Sequence, residues 1–396
     1  MTAVFTELIR ITFVVSIAVI SYTYLGYGML MWAVATIKQK IFPVKSKSNL
    51  SYPSVALVVA AYNEETFIRE KIRNSLDLTY KGELEIVFIT DGSNDGTASI
   101  VAEYQQIRHL HQSERKGKTD ALNRAIALIQ SDLIVFSDAN CLLNKECILQ
   151  LIPHFQNPLI GGVAGEKRIF FDPNEKVSQG EGLYWKYESF LKRLDAQVHT
   201  TVGAAGELFA LRRELYTNVP SQVILDDLYQ SLQVCLKGKI VAYEPNAYAI
   251  ETASVSFGDE MKRKSRICAG AFQAMSLMPQ LFNILTYPIL AFQFISHRAL
   301  RWTLSPVALV LLLATNIFLA IDNRGAVYIM MLCLQLLFYL MAGAGWLLSR
   351  RNKKLKILYV PLYFLFMNLA VFKGFYLFLN GRQSVLWDKA ERKNFA

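Results

Sequence analysis

Three groups of acidic residues in this chain have types and spacing suited to chemistry. Asp91 closes the apolar run EIVFIT and opens the turn DGSNDG. Asp138 and Asn140 close a second run, DLIVFSDAN, which begins at Asp132. Asp226 and Asp227 lie together in VILDDLYQSL. Carboxylates at the carboxyl ends of parallel strands border the crevice in which an open α/β sheet binds its ligand. Mg2+ or Mn2+ takes oxygen ligands, usually one or two from protein and the rest from phosphate and water. Asp138 offers such a ligand, and Asn140 a weaker, neutral one. A carboxylate such as Asp227 can also take a proton from an attacking hydroxyl. Lys118, in a Gly-Lys-Thr run that opens a predicted helix, sits where backbone amides and the helix dipole favour phosphate. The glycine spacing of a Walker loop is absent. These residues predict a metal–phosphate site, although Asp91 in an Asp-Gly turn and Asp226 and Asp227 at a helix start also have purely structural uses.

The elements that must position these groups are legible in the same stretch. Residues 55–61 (VALVVAA) form a continuous apolar run, as a strand buried on both faces does. A helix is expected over 65–78, with Ile68, Ile72 and Leu76 four apart. A strand over 85–90, a helix over 97–106, a helix over 118–130 and a strand over 133–136 follow. Alternating strands and helices predict a doubly wound, mostly parallel α/β domain.

Elsewhere the 396-residue chain is apolar. Residues 11–37, 303–321 and 326–349 contain no charged side chain, and 357–379 contains only Lys373. Each run is long enough to cross a bilayer of roughly 30 Å. The first is too long for a cleaved leader. Residues 271–296 are also uncharged but contain Pro279 and Pro288, and are expected to lie in the membrane interface. The expected division is therefore 1–44, a first span and linker; 45–258, a soluble catalytic domain; 259–302, interfacial helices; and 303–396, further spans and a tail. Residues 357–379 could alternatively re-enter the membrane.

The net charge of +10 does not indicate nucleic acid. Its basic residues cluster beside the apolar runs: Lys38, Lys40, Lys45 and Lys47; Lys262 to Arg266; Arg350 to Lys356. That pattern suits positive-inside loops and anionic lipid. The tail, with Arg382, Lys389, Arg392 and Lys393, falls on the opposite side in this arrangement. The five cysteines show no metal or disulfide spacing, which suits a reducing face. Tyr184, Trp185 and Tyr187 read as core-facing aromatics, and His297 as a membrane-interface residue.

Eight segments, in order, carry a resemblance: AAYNEE before residue 66, TDGSNDGT at 90–97, RKGKTDALNRAI at 115–126, FSDAN at 136–140, EGLYWKYE at 181–188, VGAAGELFALRREL at 202–215, the run 226–251 beginning DDLYQSL, and KRKSRICAG at 262–270. They resemble the family 2 glycosyltransferases of GT-A fold, in particular the membrane-integral synthases of cellulose, hyaluronan and poly-N-acetylglucosamine. The resemblance implies an inverting transfer from a nucleotide sugar, UDP-linked, to a growing β-linked polysaccharide or a lipid-linked glycan, with Mg2+ or Mn2+ as cofactor. It assigns Asp227, with Asp226, to catalysis. Tyr62, Glu64, Asp91, Lys118, Asp138, Arg263 and Arg266 would bind donor, Asp138 and Asn140 the metal, and Gly203, Gly206 and Glu207 the acceptor. It further implies a multi-pass protein of a bacterial inner membrane, its catalytic domain cytosolic, with polysaccharide export partners. Leu225 and Ile267 depart from the pattern: they stand where relatives have threonine and an acceptor-platform tryptophan. A polyprenyl-phosphate sugar synthase, a non-catalytic export scaffold and a nucleotide-sensing transporter remain as alternatives.

Overall fold

The computed structural model describes residues 3–42, 51–170, 177–252, 254, 256–322, 325–350 and 355–381. Lys45, Lys47, Arg351, Lys353, Lys354 and the basic tail from Arg382 lie outside the described residues, so the reading of their charge rests on sequence alone.

The chain begins with two helices, α1 (Ala3–Ser21) and α2 (Tyr27–Ile41), joined without a break by a π-helical turn at Tyr22–Gly26. The sheet-forming region follows as β1 (Val55–Ala61), α3 (Ile68–Leu76), β2 (Leu84–Asp91), α4 (Thr97–Ala102), β3 (Arg108–Gln112), α5 (Lys118–Ile126), β4 (Leu133–Asp138), β5 (Cys141–Leu143), α6 (Cys147–Leu151), β6 (Ile160–Ile169), α7 (Val177–Val198), β7 (Phe209–Arg212), α8 (Asp226–Leu236) and β8 (Ile240–Glu251). Beyond it lie α9 (Phe257–Leu277), α10 (Pro288–Phe294), α11 (Leu300–Trp302), α12 (Leu304–Ile321), α13 (Ala326–Arg350) and α14 (Lys356–Leu379).

The strands make one eight-stranded sheet in the order β3-β2-β1-β4-β7-β6-β8-β5. β1 pairs in parallel with β2 and β4, and β2 with β3. β7 runs antiparallel between β4 and β6, while β6 and β8 are parallel. The uninterrupted apolar sequence of β1 has a direct cause. Ala56 and Val58 face one buried cluster, and Val55, Leu57 and Val59 face another on the opposite side of the sheet. Register sets the site: Ala61 lies beside Thr90 and Ala60 beside Asp138, so β1, β2 and β4 end along one line.

Three predicted helices are shorter than expected. α3 starts at Ile68, because Glu64 O already accepts from the amides of Phe67 and Ile68 in a turn. α4 ends at Ala102 and α5 at Ile126, each passing into tighter turns. β3 escaped sequence reading because its residues, RHLHQ, form an edge strand with little apolar character.

Among the described residues, four helices are long and apolar enough to cross a membrane: Val4–Ile41, Leu304–Ile321, Ala326–Ser349 and Ile357–Leu379. Their outward faces carry exposed Leu8, Leu311, Leu337 and Leu369. The last is a continuous helix despite Pro361. It packs on α9 so closely that a β-carbon on Gly374 would stand 2.5 Å from Cys268 Cβ. Lys373 is exposed on its outer side. Between α9 and α12 the two prolines do break the chain: Pro279 opens a 3-10 turn and Pro288 opens α10.

Gly92 occupies the left-handed region at φ +64°, where a β-carbon would lie 2.5 Å from the backbone nitrogen of Arg115. Gly92→Ala is therefore expected to destabilise the protein by about 1–3 kcal/mol. A lowered Tm in detergent is the expected readout, and an unchanged Tm would show that this contact yields freely.

Candidate active site

An aromatic ring and a guanidinium form a wall beyond the carboxyl ends of β1 and β2. Tyr62 follows β1 directly, and the Arg115 guanidinium lies over its ring at 3.7 Å to the centroid. Asn63, next to it, adopts φ 53° and exchanges side-chain hydrogen bonds with Asn94, donating from Nδ2 at 2.7 Å and accepting the Asn94 amide at 3.0 Å. Glu64 is buried, and its amide donates to Thr97 Oγ1 at 2.8 Å. Asp91 is 5% exposed. Its Oδ2 accepts from the amides of Lys116 (3.0 Å) and Gly117 (2.6 Å), and its Oδ1 from Arg124 (3.0 Å). Asp91 thus clamps the loop that delivers Arg115 and Lys118.

The acids converge beside that wall. Lys118 Nζ donates to Asp138 Oδ1 at 2.8 Å and lies 3.5 Å from Asp226 Oδ2. A β-carbon placed on Gly206 would stand 3.3 Å from Lys118 Nζ, 3.4 Å from Asp227 Oδ2 and 3.6 Å from Asp138 Oδ1. Groups from α5, β4, α8 and the loop before β7 therefore meet at one point. Burial alone would lower the Lys118 pKa, but Asp138, Asp226 and Asp227 raise it on balance. Asp227 behaves oppositely. Burial and the adjacent Asp226 push its carboxyl from 3.8 up to about 7, with Glu207 adding and Lys118 opposing. A carboxylate tuned to neutrality is suited to taking a proton at working pH.

Asn140 lies in the turn after β4. That turn is held from beneath by Lys71, which is fully buried and donates to Ser137 Oγ (2.7 Å) and Cys141 O (2.9 Å).

The loop carrying Gly203 and Gly206 is gripped on both sides. The Ala204 amide donates to Ser231 Oγ of α8 at 3.0 Å, and Arg298 Nε donates to Val202 O at 2.8 Å. Gly203 needs its φ of +102°, and a β-carbon there would meet Leu228 at 2.8 Å. Glu207 pairs with Lys167, which also pairs with Glu251; the lysine and Glu251 are almost wholly buried. Lys167 Nζ sits 4.8 Å over the Trp185 ring. Lys192 lies close by, and burial together with Arg298 lowers its pKa to about 8, against Glu188, Glu207 and Asp227.

The two arginines expected to grip diphosphate part company. Arg263 forks back onto Glu260, Nε to Oε2 at 2.9 Å and Nη2 to Oε1 at 3.0 Å. Arg266 instead feels Asp226, Asp227 and Asp138, whose charges counter the lowering of its pKa by burial. His297 is a correction: it is wholly buried, not interfacial. Its Nδ1 lies 2.5 Å from Asp195 Oδ2 and its Nε2 3.4 Å from Glu188 Oε2. Arg298 (2.6 Å) and Arg301 (3.2 Å) also bind Glu188, and Tyr27 of α2 donates to Asp195.

Sequence reading missed Lys71, Lys167, Glu251, Glu188 and Asp195. The first lies on the helix face read only for its leucine-type spacing. Of the others, Glu251, after the run AYAI, and Glu188, beside Tyr184, Trp185 and Tyr187, carried one available signal, a charge next to apolar or aromatic residues; Lys167 and Asp195 sit among other charges and carried none.

With this geometry in place, comparison with known proteins identifies the class. Residues 56–219 match the family model described as glycosyl transferase family 2. Those residues therefore form a domain of the glycosyl transferase family 2 type. The chain is 34% identical over 168 residues to a beta-monoglucosyldiacylglycerol synthase of Trichormus variabilis, a match covering 40% of this chain and 34% of that protein. It is 25% identical over 231 residues to a poly-beta-1,6-N-acetyl-D-glucosamine synthase of Staphylococcus aureus, covering 56% and 55%. The chain thus spans about a third to a half of the length of these curated relatives. In fold it is similar to a mannosyltransferase of Pyrobaculum calidifontis solved with GDP-mannose and Mn2+, with a TM-score of 0.65 and 19% identity over 93% of this chain and 99% of that one. The expected GT-A type of α/β fold is borne out.

The raised pKa of Asp227 has a sign for stability. The folded state holds this proton to about pH 7 and the unfolded chain releases it near 3.8, so stability is lost as pH rises through that window. Asp227→Asn is accordingly expected to melt near the wild-type Tm at pH 4 and above it at pH 8. Equal Tm values at pH 8 would contradict the raised pKa.

Proposed function

We propose that this protein is a membrane-anchored, inverting glycosyltransferase that moves a sugar from a nucleotide donor to an acceptor hydroxyl at the membrane surface. The observation that carries this reading is the meeting of Asp138, Asp226, Asp227 and Lys118 around Gly206. The nucleoside lies against Tyr62 and Arg115, in a pocket whose shape Asp91 fixes through the 115–117 loop. The diphosphate lies toward Lys118 and Arg266, whose cations match its charge.

Asp138 and Asn140 present hard oxygens of the kind Mg2+ and Mn2+ take. The ammonium of Lys118, 2.8 Å from Asp138, marks a point that favours a cation. Among the described residues no group of three or more His, Cys, Asp and Glu forms an all-protein cage. A partial shell shared with substrate phosphate therefore fits. Bound there by Asp138 and Asn140, the ion would stabilise charge on the departing diphosphate.

Asp227 takes the proton of the acceptor hydroxyl as its oxygen bonds to the anomeric carbon. The bond from that carbon to the diphosphate oxygen breaks, and the electron pair leaves with the nucleoside diphosphate. Attack opposite the leaving group inverts the centre, so an α-linked donor gives a β-linked product. The names of both curated relatives specify β-linked products, which supports this reading. Asp226 and Lys118 set the charge around the base. The four long apolar helices hold the domain at a bacterial inner membrane, on its cytosolic face.

Two measurements test the proposal. Labelled UDP-sugars and GDP-mannose are supplied to isolated membranes with and without Mn2+ or Mg2+. One label should transfer to membrane material, and transfer should fall at least 100-fold in Asp138→Ala and in Asp227→Asn. The logarithm of kcat/KM should also drop with unit slope below about pH 7, the value set by Asp227. Full transfer by Asp227→Asn would end the assignment of the base.

A further inference from the structure

One buried cation beside the acids has no part in the chemistry described so far. Lys192 lies on α7, and Trp185, Glu188 and Asp195 share its face of that helix at spacings of three and four residues. It is only 4% exposed. Among the described residues its ammonium makes no hydrogen bond and no ion pair, and it faces the Trp185 ring at 5.8 Å from the centroid. The carboxylates around it are engaged elsewhere. Glu188 is held by Arg298 (2.6 Å), Arg301 (3.2 Å) and His297 (3.4 Å), Asp195 by His297 (2.5 Å), and Glu207 by Lys167. Burying a charge that no partner meets is costly. An apolar side chain of the same length would pack there without that cost, so the lysine answers to function.

Its place relative to the base is fixed by contacts. Lys167 Nζ lies 4.8 Å over the same Trp185 ring and pairs with Glu207. The residue before Glu207 is Gly206, where a β-carbon would stand 3.4 Å from Asp227 Oδ2. At the other end of that loop Arg298 bridges Glu188 to Val202 O, at 2.6 Å and 2.8 Å. Lys192 therefore sits behind the glycine loop, with Glu188 and Trp185 on its own helix and Asp227 across the loop.

The charges it meets set it apart from the donor-side cations. Lys118 and Arg266 feel Asp138, Asp226 and Asp227. The acids acting most strongly on Lys192 are Glu188, Glu207 and Asp227. Asp227 is common to both sets and stands between them. A diphosphate suits the first set, which has two cations and the metal-type oxygens. On the second it would meet Glu188 and Glu207. A neutral hydroxyl oxygen suits the second: it accepts an N–H and brings no negative charge of its own.

We propose that Lys192 is a further catalytic residue of the transfer, its ammonium donating a hydrogen bond to the attacking hydroxyl oxygen of the acceptor while Asp227 takes that hydroxyl's proton. This rests on the transferase reading above and supplies the acceptor side of its site. Negative charge gathers on the oxygen as its proton leaves, and a donor aimed there stabilises charge that grows in the transition state. Lys192 keeps its own protons, so the bonds made and broken are those already given.

The test compares Lys192→Met with the wild-type full chain. Transfer from labelled UDP-sugars and GDP-mannose is followed in isolated membranes at saturating donor, and UDP and GDP affinity and Tm are measured in detergent. Transfer should fall about 100-fold, with nucleotide affinity within about twofold of wild type. Tm should stay the same or rise, because an unpaired buried charge has gone. Wild-type transfer by Lys192→Met, or a loss of nucleotide affinity, overturns the proposal and leaves the transferase intact. So does a lowered Tm or failure of the variant to fold, either of which makes the lysine a structural one. A wild type that binds neither nucleotide and transfers to nothing would instead remove the transferase reading itself.

Discussion

Like charges gathered at one point are the constraint around which this structure is organised. Asp138 ends β4 while Asp226 and Asp227 open α8, and they meet around Gly206, where their mutual repulsion would be severe in a half-buried setting. Lys118 makes the arrangement tenable by reaching two of them from the first position of α5. It does not neutralise them equally. Asp227 lies beyond its closest reach and keeps a proton to about pH 7. One lysine thus separates a carboxylate suited to charged phosphate chemistry from one suited to proton transfer. Removing Lys118 would leave these partly buried carboxylates uncompensated, so the lysine is structural and electrostatic at once.

A second ionic knot connects this point to the long helices. Glu188 and Asp195 on α7 bind Arg298, Arg301, His297 and Tyr27. Tyr27 belongs to the first long helix, and Arg298 also holds Val202 of the glycine loop. Buried ion pairs are weak grounds for net stability but strong grounds for fixed geometry, because no partner can leave without exposing another charge to an apolar medium. The knot therefore fixes where the helices stand relative to the acids.

The parallel half of the sheet was legible in sequence because its strands are buried on both faces and read as unbroken apolar runs, as in VALVVAA. The acids were legible because they end those runs. The antiparallel half was not. β7 is four residues long, and β8 mixes Glu244, Pro245 and Asn246 into its run, so neither shows a clean period. The parting of Arg263 from Arg266 and the burial of His297 were also hidden. Both depend on carboxylates far away in the chain, Glu188 lying 109 residues from His297, and no local pattern records such a partner.

The two halves of the molecule also differ in how they satisfy polar groups. At the acid cluster Lys118 counters Asp138 and Asp226, while Asp227 keeps its proton to about pH 7. Beside α14 the hydrogen-bonding capacity of Arg301 exceeds what Glu188 absorbs. A guanidinium has five donors in a rigid fork and cannot lose its charge to escape burial. Part of that surplus is met by Tyr187, whose ring centroid lies 5.2 Å from the guanidinium carbon, so the arginine is held by aromatic walls as well as by its carboxylate.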